Sequence, residues 1–278
     1  MDEEPDALYD NLTPYSSLRS SQDSILTISD MIDDDELKNI EIEYFSDARE
    51  HRTVPDSKAL LGEVVEMIYN GGPQKFGTQK IIAEAPGVID RLVAANDNWL
   101  PSVFGSARVN LWRNIGKSGS IISFIANLIV TVPVFMAQGK PNSGLAETTR
   151  TDLHCEPIAN LVMQTEGEKV WTLVEPSQSF YLKPTLAPDG RAYFYSRLDP
   201  LDKSALDHVP RYEVKTVAGD TMYVPSWTWH RVEYLPNITA VSVSLFEFNP
   251  VEFFKNNCVF AFTLIPNIIK EFAGLKFT

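Results

Sequence analysis

The sequence predicts a mainly β protein, an antiparallel barrel with helices packed around it, and three observations carry that prediction. After Gly139 short apolar runs alternate with Gly, Pro and Asp turn signals, the pattern of antiparallel strands. Ahead of them, two stretches repeat apolar residues at helical spacing. The last 29 residues, from Pro250, are apolar and helix-like. A chain of 278 residues with 44% hydrophobic and 11% aromatic composition can bury one large core, and a β-barrel with a helical surround uses that length alone.

Residues 1–38 are acidic and Ser/Asp-rich and are expected to be a flexible tail; residues 39–249 form the expected barrel domain; residues 250–278 form an extension. From Ile40 to Phe45 apolar residues alternate with acids, the first strand signal and the expected start of an outer sheet. Leu60, Leu61, Val64, Val65 and Ile68 predict a helix over 57–70, and Lys80 to Leu92 repeats a weaker version. Ser118 to Gly139 is uncharged, but Asn127, Pro133 and Gln138 interrupt it. It reads as a buried helix ending near Asn127 and a buried strand from Val130 to Ala137, not as a membrane span. The stretch Asn160–Glu175 reads as a hairpin turning at Glu166-Gly167, with its two strands side by side. Further strands are expected at Tyr212–Val217, Thr221–Pro225 and Ile238–Phe248, with a turn at Ala218-Gly219-Asp220. In the extension, Pro266 suits the first turn of a last helix. Its apolar side chains must be covered, by the barrel or by a homodimer partner.

The net charge of −13, from 37 acidic and 24 basic residues, disfavours binding to phosphate backbones, so nucleic acid is not expected as a partner. Two cysteines, Cys155 and Cys258, are too few for a disulfide framework and fit a reducing compartment. The N-terminus lacks the basic start and apolar stretch of a secretory signal, so an intracellular, cytoplasmic setting is expected, a nuclear one remaining open.

Of four histidines, His51 and His208 sit in polar, loop-like surroundings. His154-Cys155-Glu156 puts an imidazole and a carboxylate two residues apart, which on a strand places both on one face. A second imidazole would complete a two-histidine, one-carboxylate triad, which leaves adjacent metal positions open. His230, after a turn, an apolar strand and the bend at Pro225, is the candidate. Such a His-x-Glu pair alone is more often structural. Lys169 shares parity with Trp171 and Leu173, so a face otherwise apolar carries one cation; the bland alternative is a turn lysine pointing to water.

The stretch Thr151-Asp-Leu-His154-Cys-Glu156-Pro-Ile-Ala-Asn160, running on through Gly167, Lys169 and Trp171 to Pro176, and Gly219-Asp220-Thr-Met-Tyr-Val-Pro225-Ser-Trp227-Thr-Trp229-His230 resemble the JmjC/cupin-like oxygenases, notably their small hydroxylase branch. The resemblance covers roughly Arg108 to Phe248, about half the chain. It implies a double-stranded β-helix (cupin/jelly-roll) barrel and an iron(II)- and 2-oxoglutarate-dependent dioxygenase using O2. It also implies that His154, Glu156 and His230 hold the metal, that Lys169 pairs with the distal carboxylate of 2-oxoglutarate, and that Thr151 and Asn160 contact the same cosubstrate. Asn110 stands where the branch often has a tyrosine on that carboxylate, and Ser244 where it often has an asparagine; Glu156 replaces the commoner aspartate. Trp227 and Trp229 flank His230 as candidate pocket walls, with packing as the plainer role for each. Arg191, Tyr193, Tyr195 and Arg197 lie on an insertion that often covers the site, and are candidate substrate contacts.

The implied chemistry is oxidation of an unactivated C–H bond, by hydroxylation, ring closure or desaturation, with release of succinate and CO2. A small amino-acid-like metabolite, as in specialised metabolism, is favoured as substrate for so short a chain. A protein side chain or methyl-lysine is the alternative, and a metal-binding cupin without oxygen chemistry a second one.

Overall fold

Ile42 and Tyr44 are buried while Glu41 and Glu43, alternating with them, face water, the parity of a half-buried strand. The computed structural model, which describes residues 33–45, 57–69, 82–84, 128–131, 133–139, 149–187, 192–198 and 203–272, forms that strand as β1 (Glu41–Phe45). The helix expected over 57–70 divides. Ser57–Leu60 becomes β2, paired antiparallel with β1, and α1 spans Leu61–Tyr69 with Leu61, Val64, Val65, Met67 and Ile68 buried. Within the stretch expected as a second helix, Ile82–Glu84 is instead β3, paired with β1. Its remaining residues lie outside the described ones. Pairing along a sheet has overridden a weak helical spacing there.

The helix expected up to Asn127 also lies outside the described residues, and the strand expected after it is two strands. β4 (Leu128–Thr131) and β5 (Val134–Gln138) flank Pro133, which has no N–H for a ladder and whose carbonyl accepts from Ser244 N. The remaining strands are β6 (His154–Cys155), β7 (Ala159–Glu166), β8 (Glu168–Val174), β9 (Pro184–Leu186), β10 (Phe194–Ser196), β11 (Tyr212–Val217), β12 (Thr221–Val224), β13 (Trp229–Tyr234) and β14 (Thr239–Phe248).

They form two antiparallel sheets. The eight-stranded sheet runs β12-β7-β14-β5-β3-β1-β2, with β4 also on β14; the six-stranded sheet runs β11-β8-β13-β6-β10-β9. The expected hairpin is therefore a corner. β7 pairs with β12 and β14, and β8 with β11 and β13, so the turn at Gly167 passes the chain from one sheet to the other instead of setting two strands side by side. Gly167 takes φ +67°, and a Cβ there would stand 2.0 Å from the Thr239 carbonyl oxygen, which leaves glycine as the residue the corner accepts.

One core fills the space between the sheets: Ala137, Val162, Val224 and Ala240 from the larger meet Trp171, Val232 and Tyr234 from the smaller. A second lies under the apolar extension, which folds as α2 (Pro250–Asn256), capped by Asn249 Oδ1 accepting from Val251 N and Glu252 N, and α3 (Cys258–Phe272). Phe253, Phe260, Ala261 and Leu264 pack there against Trp227, Trp229 and Phe194 on the barrel. Phe254, Val259, Phe262, Ile265 and Ile269 stay exposed. Pro266 lies inside α3 rather than in its first turn. Among the described residues no helix is long and apolar enough to cross a membrane.

Candidate metal and anion site

His154 and His230 come from distant parts of the chain and stand opposite each other, because β6 pairs antiparallel with β13 in the register His230↔His154. Directly paired residues share a face. Their ring centroids lie 4.3 Å apart. Each ring is oriented from behind: His154 Nδ1 is 2.7 Å from the Asp152 carbonyl and His230 Nδ1 is 3.0 Å from that of Thr228. A carbonyl only accepts, so each Nδ1 carries the proton and each Nε2 keeps a lone pair, the tautomer of a metal ligand. Desolvation lowers the pKa of both rings, His230 to about 3 with His154 adding to the effect, so both imidazoles are neutral.

The expected strand from His154 through Glu156 ends one residue early. β6 stops at Cys155, and Glu156 precedes Pro157, which cannot continue a ladder. The backbone of Glu156 is held: its carbonyl accepts from Trp227 N at 2.8 Å, tying the end of β6 to the approach to β13. Among the described residues no group of three His, Cys, Asp or Glu side chains is close enough to hold a metal ion, so the convergence observed is that of the two imidazoles.

Lys169 points into the barrel, not to solvent. It is 2% exposed, and its Nζ donates to Ser242 Oγ on the opposite sheet. The amine also lies 5.0 Å from the centroid of the Tyr234 ring, whose residue is its cross-strand partner. No acidic side chain pairs with it among the described residues, and desolvation alone pulls its pKa down to about 7. A buried cation without a counter-charge is a costly arrangement that an incoming anion relieves.

A family model described as a cupin-like domain matches residues 35–248. The chain belongs to that cupin-like family. A stretch of 87 residues is also 30% identical to HSPB1-associated protein 1 of Rattus norvegicus and of Homo sapiens, and 86 residues are 29% identical to the Mus musculus protein. Each match takes in 29% of this chain and 18% of the relative's length.

The other expected residues of this cupin-like chain divide into three groups. Asn160 is buried in β7 with its Oδ1 lacking a hydrogen-bond partner, and Ser244 is buried in β14. Thr151 lies beside β13, where its Oγ1 accepts from Val232 N at 2.9 Å. Tyr193 sets its ring edge-on to His154 at 6.1 Å, and Tyr195 is the β10 residue paired with His154; Arg197 is exposed. Asn110 and Arg191 lie outside the described residues.

Trp227 and Trp229 are corrected. Both are fully buried in the core under α2 and α3; Trp227 Nε1 donates to the Phe253 carbonyl and Trp229 Nε1 to Ser179 Oγ. Strand alternation turns Trp229 away from the face that carries His230, so these indoles hold the extension and do not wall a pocket. Three residues were missed. Trp171, 6.1 Å from the His230 ring, lines the interior between Lys169 and the histidines, Tyr234 stands beside Lys169, and Ser242 holds the lysine. The parity of Trp171 with Lys169 was visible in the sequence; the β14 partner across the barrel was not.

Proposed function

We propose that the chain is an iron(II)- and 2-oxoglutarate-dependent dioxygenase that oxidises a C–H bond of a small amino-acid-like metabolite, by hydroxylation, ring closure or desaturation. The observation that carries this reading is Lys169: a lysine sealed between two sheets, without an acidic partner among the described residues, in the same barrel as two neutral imidazoles with free Nε2 atoms. His154 and His230 would hold the metal through Nε2, and Glu156 would add the carboxylate. Lys169 would take the distal carboxylate of 2-oxoglutarate as a charge-assisted hydrogen bond, with Asn160 and Thr151 as further polar groups beside it and Trp171 and Tyr234 excluding water. Bound iron supplies oxygen activation, coupled to oxidative decarboxylation of 2-oxoglutarate to succinate and CO2. Tyr193 and Tyr195, at the His154 end, would face the substrate.

A panel of amino-acid-like metabolites and basic peptides, scored by succinate release with iron(II) and ascorbate, tests this. Succinate release stimulated by a metabolite supports it; stimulation by peptides alone moves the substrate to protein side chains. A second reading has its own observation, the lack among the described residues of a third converging ligand: a cupin holding metal by its histidine pair without oxygen chemistry. It predicts metal retention with no succinate under any condition.

A further inference from the structure

Lys169 has three N–H bonds when charged, and one is accounted for by Ser242 Oγ. In the ladder between β7 and β14, Ser242 is paired with Gln164, so the two side chains share a face. Gln164 is 1% exposed and heavily committed elsewhere. Its N–H donates to the Asp220 carbonyl, its carbonyl accepts from Gly219 N, and its Nε2 donates to the Glu166 carbonyl at 2.6 Å. That last bond fixes the amide, because only the NH2 end can donate. Oε1 is left buried with no hydrogen-bond partner. A buried acceptor without a donor is costly, and a charged amine held by the adjacent residue is the donor at hand.

We propose that Gln164 and Ser242 are positioning residues that clamp the Lys169 ammonium from the larger sheet. Ser242 Oγ already accepts one N–H; in the dicarboxylate-bound state Gln164 Oε1, unpaired in the free chain, takes a second, and the third is aimed at one carboxylate of the ligand. Neither residue touches the reacting atoms. The inference rests on Lys169 as the anion anchor, and it makes the buried orphan oxygen part of the anchor.

Calorimetric titration of 2-oxoglutarate into the full chain with iron(II), under anaerobic conditions so that no turnover occurs, tests both levels. Ser242→Ala and Gln164→Met should each weaken binding about tenfold, the scale of one hydrogen bond to a charged group. Ser242→Thr, which keeps the hydroxyl, should restore it. Gln164→Glu places a carboxylate where the amine can pair internally, and should weaken binding more than Gln164→Met while leaving the melting temperature unchanged or higher. Wild-type binding in Ser242→Ala and Gln164→Met, beside lost binding in Lys169→Ala, would overturn the clamp and leave the anchor standing. Wild-type binding in Lys169→Ala would remove the anchor and the clamp together. Should Gln164→Met fail to fold, Gln164→Glu decides alone, wild-type affinity there refuting the clamp.

Discussion

A lysine amine enclosed by two β-sheets costs folding free energy, and at Lys169 the cost has a pH signature. The folded amine titrates near 7 and the unfolded one near its ordinary value of about 10.4. Below pH 7 both states are protonated and the penalty is complete. Between 7 and 10 the unfolded chain binds more protons, so stability rises with pH, by up to roughly 5 kcal/mol over the whole interval. Lys169→Met should therefore be more stable than wild type at pH 7, and this advantage should shrink at pH 9. Urea midpoints of the ligand-free proteins at the two pH values check it, and a constant difference would show that the amine is not desolvated as described. The same variant should lose stabilisation by 2-oxoglutarate. At the other end of the site, His154→Ala and His230→Ala should each abolish iron retention, read as metal content after gel filtration; retention in either variant would remove that imidazole from the ligand set. The imidazole pair was legible from His154-Cys155-Glu156 and the turn before His230. The partner of Lys169 was not, because Ser242 is an ordinary polar residue until the two sheets face each other.

Elements were legible wherever a local period decides them. β1 shows alternation, β8, β11 and β12 follow short apolar runs between turns, and α1 keeps its apolar stripe. Partner choice was not, and Gly167 shows why. An apolar run, a Glu-Gly turn and a second apolar run describe a hairpin and a barrel corner equally well, and the difference lies in which distant strand supplies the hydrogen bonds. At the corner, the positive φ of Gly167 and its approach to the Thr239 carbonyl bind the turn to the start of β14. Gly167→Ala combines left-handed strain with a backbone collision, and should cost roughly 3 kcal/mol or more. A chemical denaturation midpoint measures it; a loss below about 1 kcal/mol, the strain of an alanine in that conformation alone, would show that the corner can open without harm. Prolines were legible as interruptions but not in outcome: Pro133 divides a strand in two, while Pro266 is accommodated within α3.

Across the whole molecule the apolar extension and the site are joined through aromatic packing. Phe260 of α3 stacks on Phe194 of β10 with centroids 4.1 Å apart, and meets Trp227 and Trp229 edge-on at 5.7 and 6.1 Å. Tyr195 of β10 is paired with His154, and Tyr193, just ahead of the strand, sets its ring edge-on to the same imidazole. An apolar tail thus packs against the strand that borders His154, a role its composition alone could not reveal, since covering the barrel and covering a second copy need the same side chains. Phe260→Ala removes the ring common to these contacts and should destabilise the fold by about 3–5 kcal/mol. It should also loosen β10, because the cavity opens directly behind Phe194. Hydrogen exchange at the amides of 194–196, compared with those of β8, separates the two effects: a global loss raises exchange in both strands alike, whereas loss of the Phe260–Phe194 contact raises it first in β10. Equal protection of β10 before and after the substitution, with stability reduced, would mean that the extension supports the barrel without reaching the site.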